Sequence, residues 1–329
     1  MNPLELALAR ANAYRLFSRL FLEGVTEKIA DLIRQIPDLS RLINFDRGYA
    51  ELAADHYSIF VHNLPPYASI FLEENGQPGG DISESAAKAF RDCGYRTRTQ
   101  GESADHFGHL LGCLSFLCGA ESDAWEDGVP HVAGQMRQIQ AEILEHHILP
   151  WLYPFFWGIR SLDNSFYKLV ANLTVDILTD HYKSLGNLHG TFSTPLGKEE
   201  NLGGKDTKLK EIVEYMLRPA RSGLWLSPAK IHDLGRDYQL PRGFGDRQTT
   251  LSNLLKAAGK YESFTSLMDQ LSAEYAEAHV EFENIRIQQP ELAPFLYPWS
   301  LKIGGAHSVF HRLAAMWKEN TIKDAVESG

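Results

Sequence analysis

Cysteine is scarce in these 329 residues. Cys93, Cys113 and Cys118 are the whole supply, an odd number with no CxxC spacing. That argues against a disulfide framework and suits a reducing compartment. Long apolar runs are missing too. None approaches the ~18 residues that a membrane span needs, and the opening MNPLELALARANAYRLF is interrupted by Glu5, Arg10 and Arg15. No secretory signal and no membrane span are expected, and the expected location is cytoplasmic. Strand signals are nearly absent, since no hairpin dipeptide stands between two alternating runs. The expected fold is therefore all-α. Nucleotide and catalytic signatures are lacking as well. Gly76, Gly79 and Gly80 spell neither GxxxxGK[ST] nor GxGxxG and read instead as a flap, and no GxSxG or HExxH occurs. No cofactor and no nucleophilic or zinc catalysis is expected.

Positive charge is what the first part of the chain is short of. Residues 1–200 hold 16 Lys and Arg against 26 Asp and Glu, while residues 201–329 hold 16 of each, so the whole net charge of −10 lies in the first part. Phosphate binding needs a basic face, which sets nucleic acid aside as a partner. A cationic ligand or peptide is favoured instead. Hydrophobic content of 44% is ordinary and supports a sizeable core.

What is present is organised around residues 102–118, ESADHFGHLLGCLSFLC. Phe107, Leu110, Leu111, Leu114, Leu117 and Cys118 recur at helical spacing and predict an amphipathic helix with one face in a core. Ser103 stands where an N-cap belongs, and Glu102 and Asp105 crowd the positive end of the helix dipole. Two acids and a histidine, His106, thus gather at one helix start.

Around it the chain reads as further helices. Asn2 caps the first, with Pro3 at its first position. Others are expected over residues 26–36, stopping at Pro37, and over 49–61. A loop at 62–80 follows, then a short helix capped by Ser83 and ending at Cys93-Gly94. Beyond the central helix come one over 130–147, an aromatic stretch broken by Pro150 and Pro154, and one capped by Asp163 running to about residue 185. Five glycines and a proline within residues 186–205 mark a linker. Past it, Asp206, Ser227 (followed by Pro228) and Asp246 are expected caps. A long helix covers about 262–287, a Pro-broken aromatic segment follows, and a last helix covers about 306–317.

Tyr57-Ser58-Ile59-Phe60, then Pro65-Pro66-Tyr67-Ala68-Ser69-Ile70-Phe71, then Gly79-Gly80, then Glu102-Ser103-Ala104-Asp105-His106 resembles the TorD/DmsD/NarJ family of all-helical molybdoenzyme chaperones. Trp151, Phe155-Phe156 and Phe166-Tyr167 with Leu169 look like its later segments, so order and spacing agree over about residues 5–185. Ala68 stands where the family usually has Glu, Ser103 where it has Pro, and Leu110-Leu111 where Glu-Leu is common. The resemblance implies a TorD-like helical domain over residues 1–190; composition adds a Gly-rich linker over 191–205, and the helical part over 206–329 lies outside the family's usual length and has no assigned role. It also implies a chaperone, not an enzyme, that binds the catalytic subunit of a molybdopterin-dependent oxidoreductase, often through its twin-arginine signal peptide, while cofactor is inserted before export. An oligomer is compatible with it. The carried-over positions are Tyr67, Glu102, Asp105 and His106. Paired carboxylates suit guanidinium groups, and Tyr57, Phe60 and Phe71 are expected to line a groove for the signal's apolar core.

Other readings stay open beside this one. Glu102, Asp105 and His106 also fit plain helix capping, a helical adaptor without molybdoenzyme clients, or an acid–base pair of Asp105 and His106 in a helical enzyme. His106, His109 and Cys113 share a helix face that a metal would use, but no second cluster completes four ligands. Trp151, Tyr153, Phe155, Phe156 and Trp157 read as core. Arg218, Arg221, Arg242 and Arg247 either meet an anionic surface or serve turns and caps.

Overall fold

The computed structural model describes residues 2–97, 101–186, 202, 207–241 and 243–319, and every regular element among them is a helix. One isolated antiparallel bridge joins Tyr67 to His106. The residues group into two compact units, one within 1–73 and 77–192, the other within 74–76 and 193–329. The Gly-rich stretch at 191–205, apart from Leu202, and Asp206 lie outside the described residues.

The first unit runs α1 (Pro3–Leu22), α2 (Glu27–Arg34), the single turn α3 (Pro37–Ser40), α4 (Tyr49–Tyr57), α5 (Ala68–Leu72), α6 (Gly80–Cys93), α7 (Phe107–Glu126), α8 (Pro130–Ile143), α9 (Leu149–Arg160) and α10 (Ser165–Leu185). Wider π turns at Ser58–Asn63 and Leu144–Ile148 follow α4 and α8. At the start of α1, Asn2 Oδ1 accepts the Glu5 N–H at 2.7 Å while Glu5 returns an acceptor to the Asn2 N–H at 3.2 Å, a closed capping box.

α1 and α7 lie side by side over most of their length because α7 is small where they touch. A Cβ on Gly108 would meet Ser18 O at 2.9 Å and the Leu22 side chain at 2.5 Å, and one on Gly112 would collide with Tyr95 Oη. The close approach is bolted by Ser18 Oγ donating to Gly108 O at 2.6 Å and Ser115 Oγ to Ala11 O at 2.7 Å. Beside this pair sits an aromatic core. Phe107 packs edge-on to Phe21 at 4.8 Å and to Trp151 at 5.6 Å, and Phe71 lies 5.4 Å from Trp151.

Several expectations are corrected here. The central helix starts at Phe107, not at Ser103, and its cap is His106, whose Nδ1 accepts the Gly108 N–H at 3.0 Å. Glu102 and Asp105 therefore precede the helix instead of lining its first turn. Ser103 does not cap it, because it lies four residues before Phe107, and its hydroxyl donates instead to Asp105 Oδ1 at 2.5 Å. Ser83 lies inside α6, which begins after Gly79 (φ 102°), a backbone that a side chain would strain. The α10 cap is Asn164, not Asp163. α2 does stop short of Pro37, as expected, and Pro37 opens the turn α3, while α5 occupies part of the expected loop. Pro154 lies inside an unbroken α9. One missing backbone bond costs roughly 3 kcal/mol, while Trp151, Phe155 and Phe156 together bury far more apolar surface than that is worth.

The second unit runs α11 (Leu209–Leu217), α12 (Pro219–Ser222), α13 (Pro228–Asp237), α14 (Arg247–Lys260), α15 (Phe264–Gln288) and α16 (Ala293–Lys318). The caps at Ser227 and Asp246 form as expected, accepting the Lys230 N–H at 3.1 Å and the Thr249 N–H at 2.7 Å. α15 and α16 make a long antiparallel hairpin, stacked at one end by Phe264 on Trp317 at 4.6 Å and crossed in the middle by Tyr275 and Phe310. The expected break before residue 306 does not occur, since α16 carries Pro298 within it.

Candidate functional site

Four of the seven residues singled out in the sequence meet at one place on the first unit. The chain leading into α5 and the chain leading into α7 pair by backbone: the Ala68 N–H donates to Asp105 O at 3.1 Å and the Phe107 N–H to Pro66 O at 2.7 Å. That bridge sets Tyr67 against His106, rings edge-to-face at 5.0 Å. Tyr67 Oη donates to the Glu102 carboxylate. Asp105 Oδ2 accepts both the Ser69 N–H at 2.9 Å and the Ser69 hydroxyl at 2.6 Å. The Gly79 N–H donates to Ser69 Oγ at 3.1 Å, and Ser83 and Ser103 join through their hydroxyls, so the expected flap is tied to the same knot.

The two acids are in different situations. Asp105 is fully buried and both of its oxygens are occupied by serines. Glu102 is exposed, with the Tyr67 phenol on one oxygen. Burial, then the bond to Glu102, pushes that phenol above its ordinary range, so it stays a donor. His106 is buried, and burial followed by the charges of His109 and His56 pulls it down to about 3. Burial also lowers His56 and His109. With Nδ1 accepting from Gly108, the neutral His106 ring carries its proton on Nε2. Of the suggested acid–base pair, Asp105 has both oxygens engaged and His106 has its Nδ1 committed to the Gly108 N–H.

The other three residues lie elsewhere. Phe60 and Phe71 are buried in the aromatic core, Phe60 edge-on to Tyr167 at 5.1 Å, and neither lines an open groove. Tyr57 is 52% exposed, paired edge-to-face with His62 at 4.7 Å at the entry to the π turn. A separate cleft of about 290 Å³, lined by Arg47, Asp55, Asp163 and Tyr167 among others, includes none of the seven.

Sequence reasoning missed Ser69 and Ser103 as the partners of Asp105, and Ser83 as the partner of Ser103. Ser69 was visible only as part of the PPYASIF run, and nothing local says that its partner is 36 positions away. Among the described residues no group of three His, Cys, Asp or Glu side chains is placed to hold a metal ion. In the second unit Arg218 pairs with Glu214 at 3.5 Å. Arg247 lies over the Trp225 ring at 3.5 Å and donates to Leu217 O at 2.7 Å, a staple between α11 and α14. Arg242 lies outside the described residues.

Residues 19–156 match the family model described as nitrate reductase delta subunit. No curated protein and no solved structure matches the chain. The second unit lies beyond the matched residues and stays unassigned. No helix among the described residues is long and apolar enough to cross a membrane.

Proposed function

From the premise that residues 19–156 belong to the nitrate reductase delta subunit family, a family of molybdoenzyme maturation chaperones, we propose that this protein holds the catalytic subunit of a molybdopterin-dependent oxidoreductase through a cationic segment such as a twin-arginine signal peptide. The family is one of chaperones, not of catalysts. In this reading the protein acts in the cytoplasm, while cofactor is inserted and before the client is exported.

The observation that supports the reading is the division of labour between the two acids. Glu102, exposed and oriented by Tyr67, presents a carboxylate edge to a guanidinium. Asp105, buried and bound by Ser69 and Ser103, holds the two chain segments together so that this edge has one position. A planar guanidinium gains from bidentate geometry what a lysine ammonium cannot. Tyr57 and the neighbouring Val61, 51% exposed, offer apolar surface for the adjoining part of such a peptide.

The test is calorimetric titration of a synthetic twin-arginine signal peptide and its twin-lysine version against the wild type and Glu102→Gln. The expected loss is about 5–30-fold for the mutant, equivalent to ~1–2 kcal/mol, and a similar loss for the lysine peptide on the wild type. The loss should shrink with added salt, because exposed charges are screened beyond ~10 Å at 0.1 M. Equal affinity in all four combinations would remove Glu102 from the interface.

A further inference from the structure

Two of the three cysteines face each other outside the acidic site. Cys93 closes α6 and is half-buried, while Cys113 sits on the buried face of α7, and their sulfurs lie 3.7 Å apart. Neither is oxidised. A disulfide needs ~2.05 Å between sulfurs, so less than ~2 Å of closure separates the pair from a bond. From this juxtaposition, with one sulfur reachable from solvent and the second directly behind it, we propose that Cys93 and Cys113 form a peroxide-reactive site that closes to an intramolecular disulfide.

The chemistry balances with hydrogen peroxide as the oxidant. The Cys93 thiolate attacks one peroxide oxygen, an S–O bond forms, the O–O bond breaks, and the departing hydroxide takes a proton to become water. Cys93 is then a sulfenic acid. The Cys113 sulfur attacks the Cys93 sulfur, and the hydroxide leaving Cys93 removes the Cys113 proton as a second water. Two thiols have lost two electrons and one peroxide has gained them.

The roles follow from the surroundings. The bond from Cys113 is the largest influence on Cys93, outweighing its partial burial, and with the Tyr95 N–H it draws the Cys93 thiol down to about 7. Cys113 is raised by the same bond and by burial, so it waits as the thiol. Low-lying, accessible thiols beside a second cysteine are the ones that peroxide finds. Gly94 next to Cys93 is in the left-handed region at φ 79°, so α6 ends there and the cysteine sits at a chain reversal. Cys118 provides an internal contrast: it is fully buried, and burial raises its thiol.

The experiment treats the reduced full-length protein with stoichiometric hydrogen peroxide. Remaining thiols are counted by maleimide mass shift, and bridged peptides are mapped by non-reducing proteolysis. The expected result is loss of two of the three thiols, one bridge joining Cys93 to Cys113 within a single chain, and full recovery with dithiothreitol. Cys118→Ala should form the same bridge as the wild type, and Cys113→Ala, which also loses the bond that lowers the Cys93 thiol, should form more slowly a Cys93 sulfenic acid that dimedone captures. The mapping on the wild type requires no mutant to fold. Three thiols surviving, a bridge that includes Cys118, bridges only between chains, or a dimedone adduct on wild-type Cys93 without a bridge would each overturn the proposal.

Discussion

Among the described residues, the first unit buries Asp105, Glu121 and Glu145 together with His106, His109 and His181, whereas the polar side chains buried in the second are all hydroxyls, on Thr207, Ser222, Ser227, Thr250, Ser272 and Ser300. Each buried carboxylate of the first unit is reached from another element. Glu121 on α7 accepts from Gln140 at 3.0 Å and from Arg137 at 3.4 Å, both on α8. Glu145 accepts from Tyr182 on α10 at 2.9 Å. His181 stands between Tyr14 and Gln140, 2.9 Å from each. In the second unit charged side chains pair mostly along one helix at the surface, as Lys210 with Glu214, Arg236 with Asp233 and Arg286 with Glu283. A buried charge without partners is expensive, and a partnered one accepts few alternative arrangements. The first unit has placed its costly groups where elements must meet in one register; the second relies on apolar packing of a long hairpin.

The contrast is open to direct attack. Asp105→Ala should cost the most, about 3 kcal/mol in urea denaturation, because it strands the buried Ser69 N–H and takes the acceptor from the Ser69 and Ser103 hydroxyls. Its sharpest counterpart in the second unit, Ser272→Ala, removes bonds to His307 and should cost only about 1 kcal/mol. Equal losses at the two positions would erase the difference between the units.

Acidification from pH 7 to pH 5 should give an intermediate effect through His106 of the first unit. Folded His106 stays neutral down to about pH 3, while the same side chain in the unfolded chain takes a proton near 6.5. Between those values the unfolded state binds the extra proton. Stability from this group is therefore fully present above about 6.5, falls as pH falls, and is gone at about 3. At pH 5 the His106 share of the loss is about 2 kcal/mol. His106→Asn keeps an acceptor for the Gly108 N–H and removes the titration, so its urea midpoint should drop less between pH 7 and pH 5 than that of the wild type. Parallel drops would mean that His106 is charged in the folded protein.

Legibility in the sequence followed distance along the chain. Asn2, Ser227 and Asp246 were readable as caps because the N–H groups that they accept lie three residues ahead. The apolar stripe from Phe107 to Cys118 was readable because helical periodicity is local, and its members are all fully buried. What could not be read was decided by partners far away. His106 and not Ser103 is the cap because the chain before α7 pairs by backbone with residues 66–68, and Asp105 within it is fixed by Ser69 on another element. Phe60 and Phe71 look like groove residues in a list of motifs, yet rings from α1, α9 and α10 enclose them. Pro154 and Pro298 signalled breaks that burial of their neighbours overrode.

The distances that hide the acidic knot from a reader of the sequence also set when it comes into existence. Tyr67 and Glu102 are 35 positions apart, and Ser69 and Asp105 are 36. Closing a loop of that length must precede the contacts that reward it. A nascent chain that ends before residue 102 carries the phenol and the serine with no acid opposite them. The acids become useful only when α7 has left the ribosome and settled against α1, because Gly108 and Gly112 must reach Ser18 and Tyr95 for the α7 start to find its place. On the proposed reading, competence to hold a client would arrive in one step, once α7 is complete, and a chain cut short of it would lack the acidic edge.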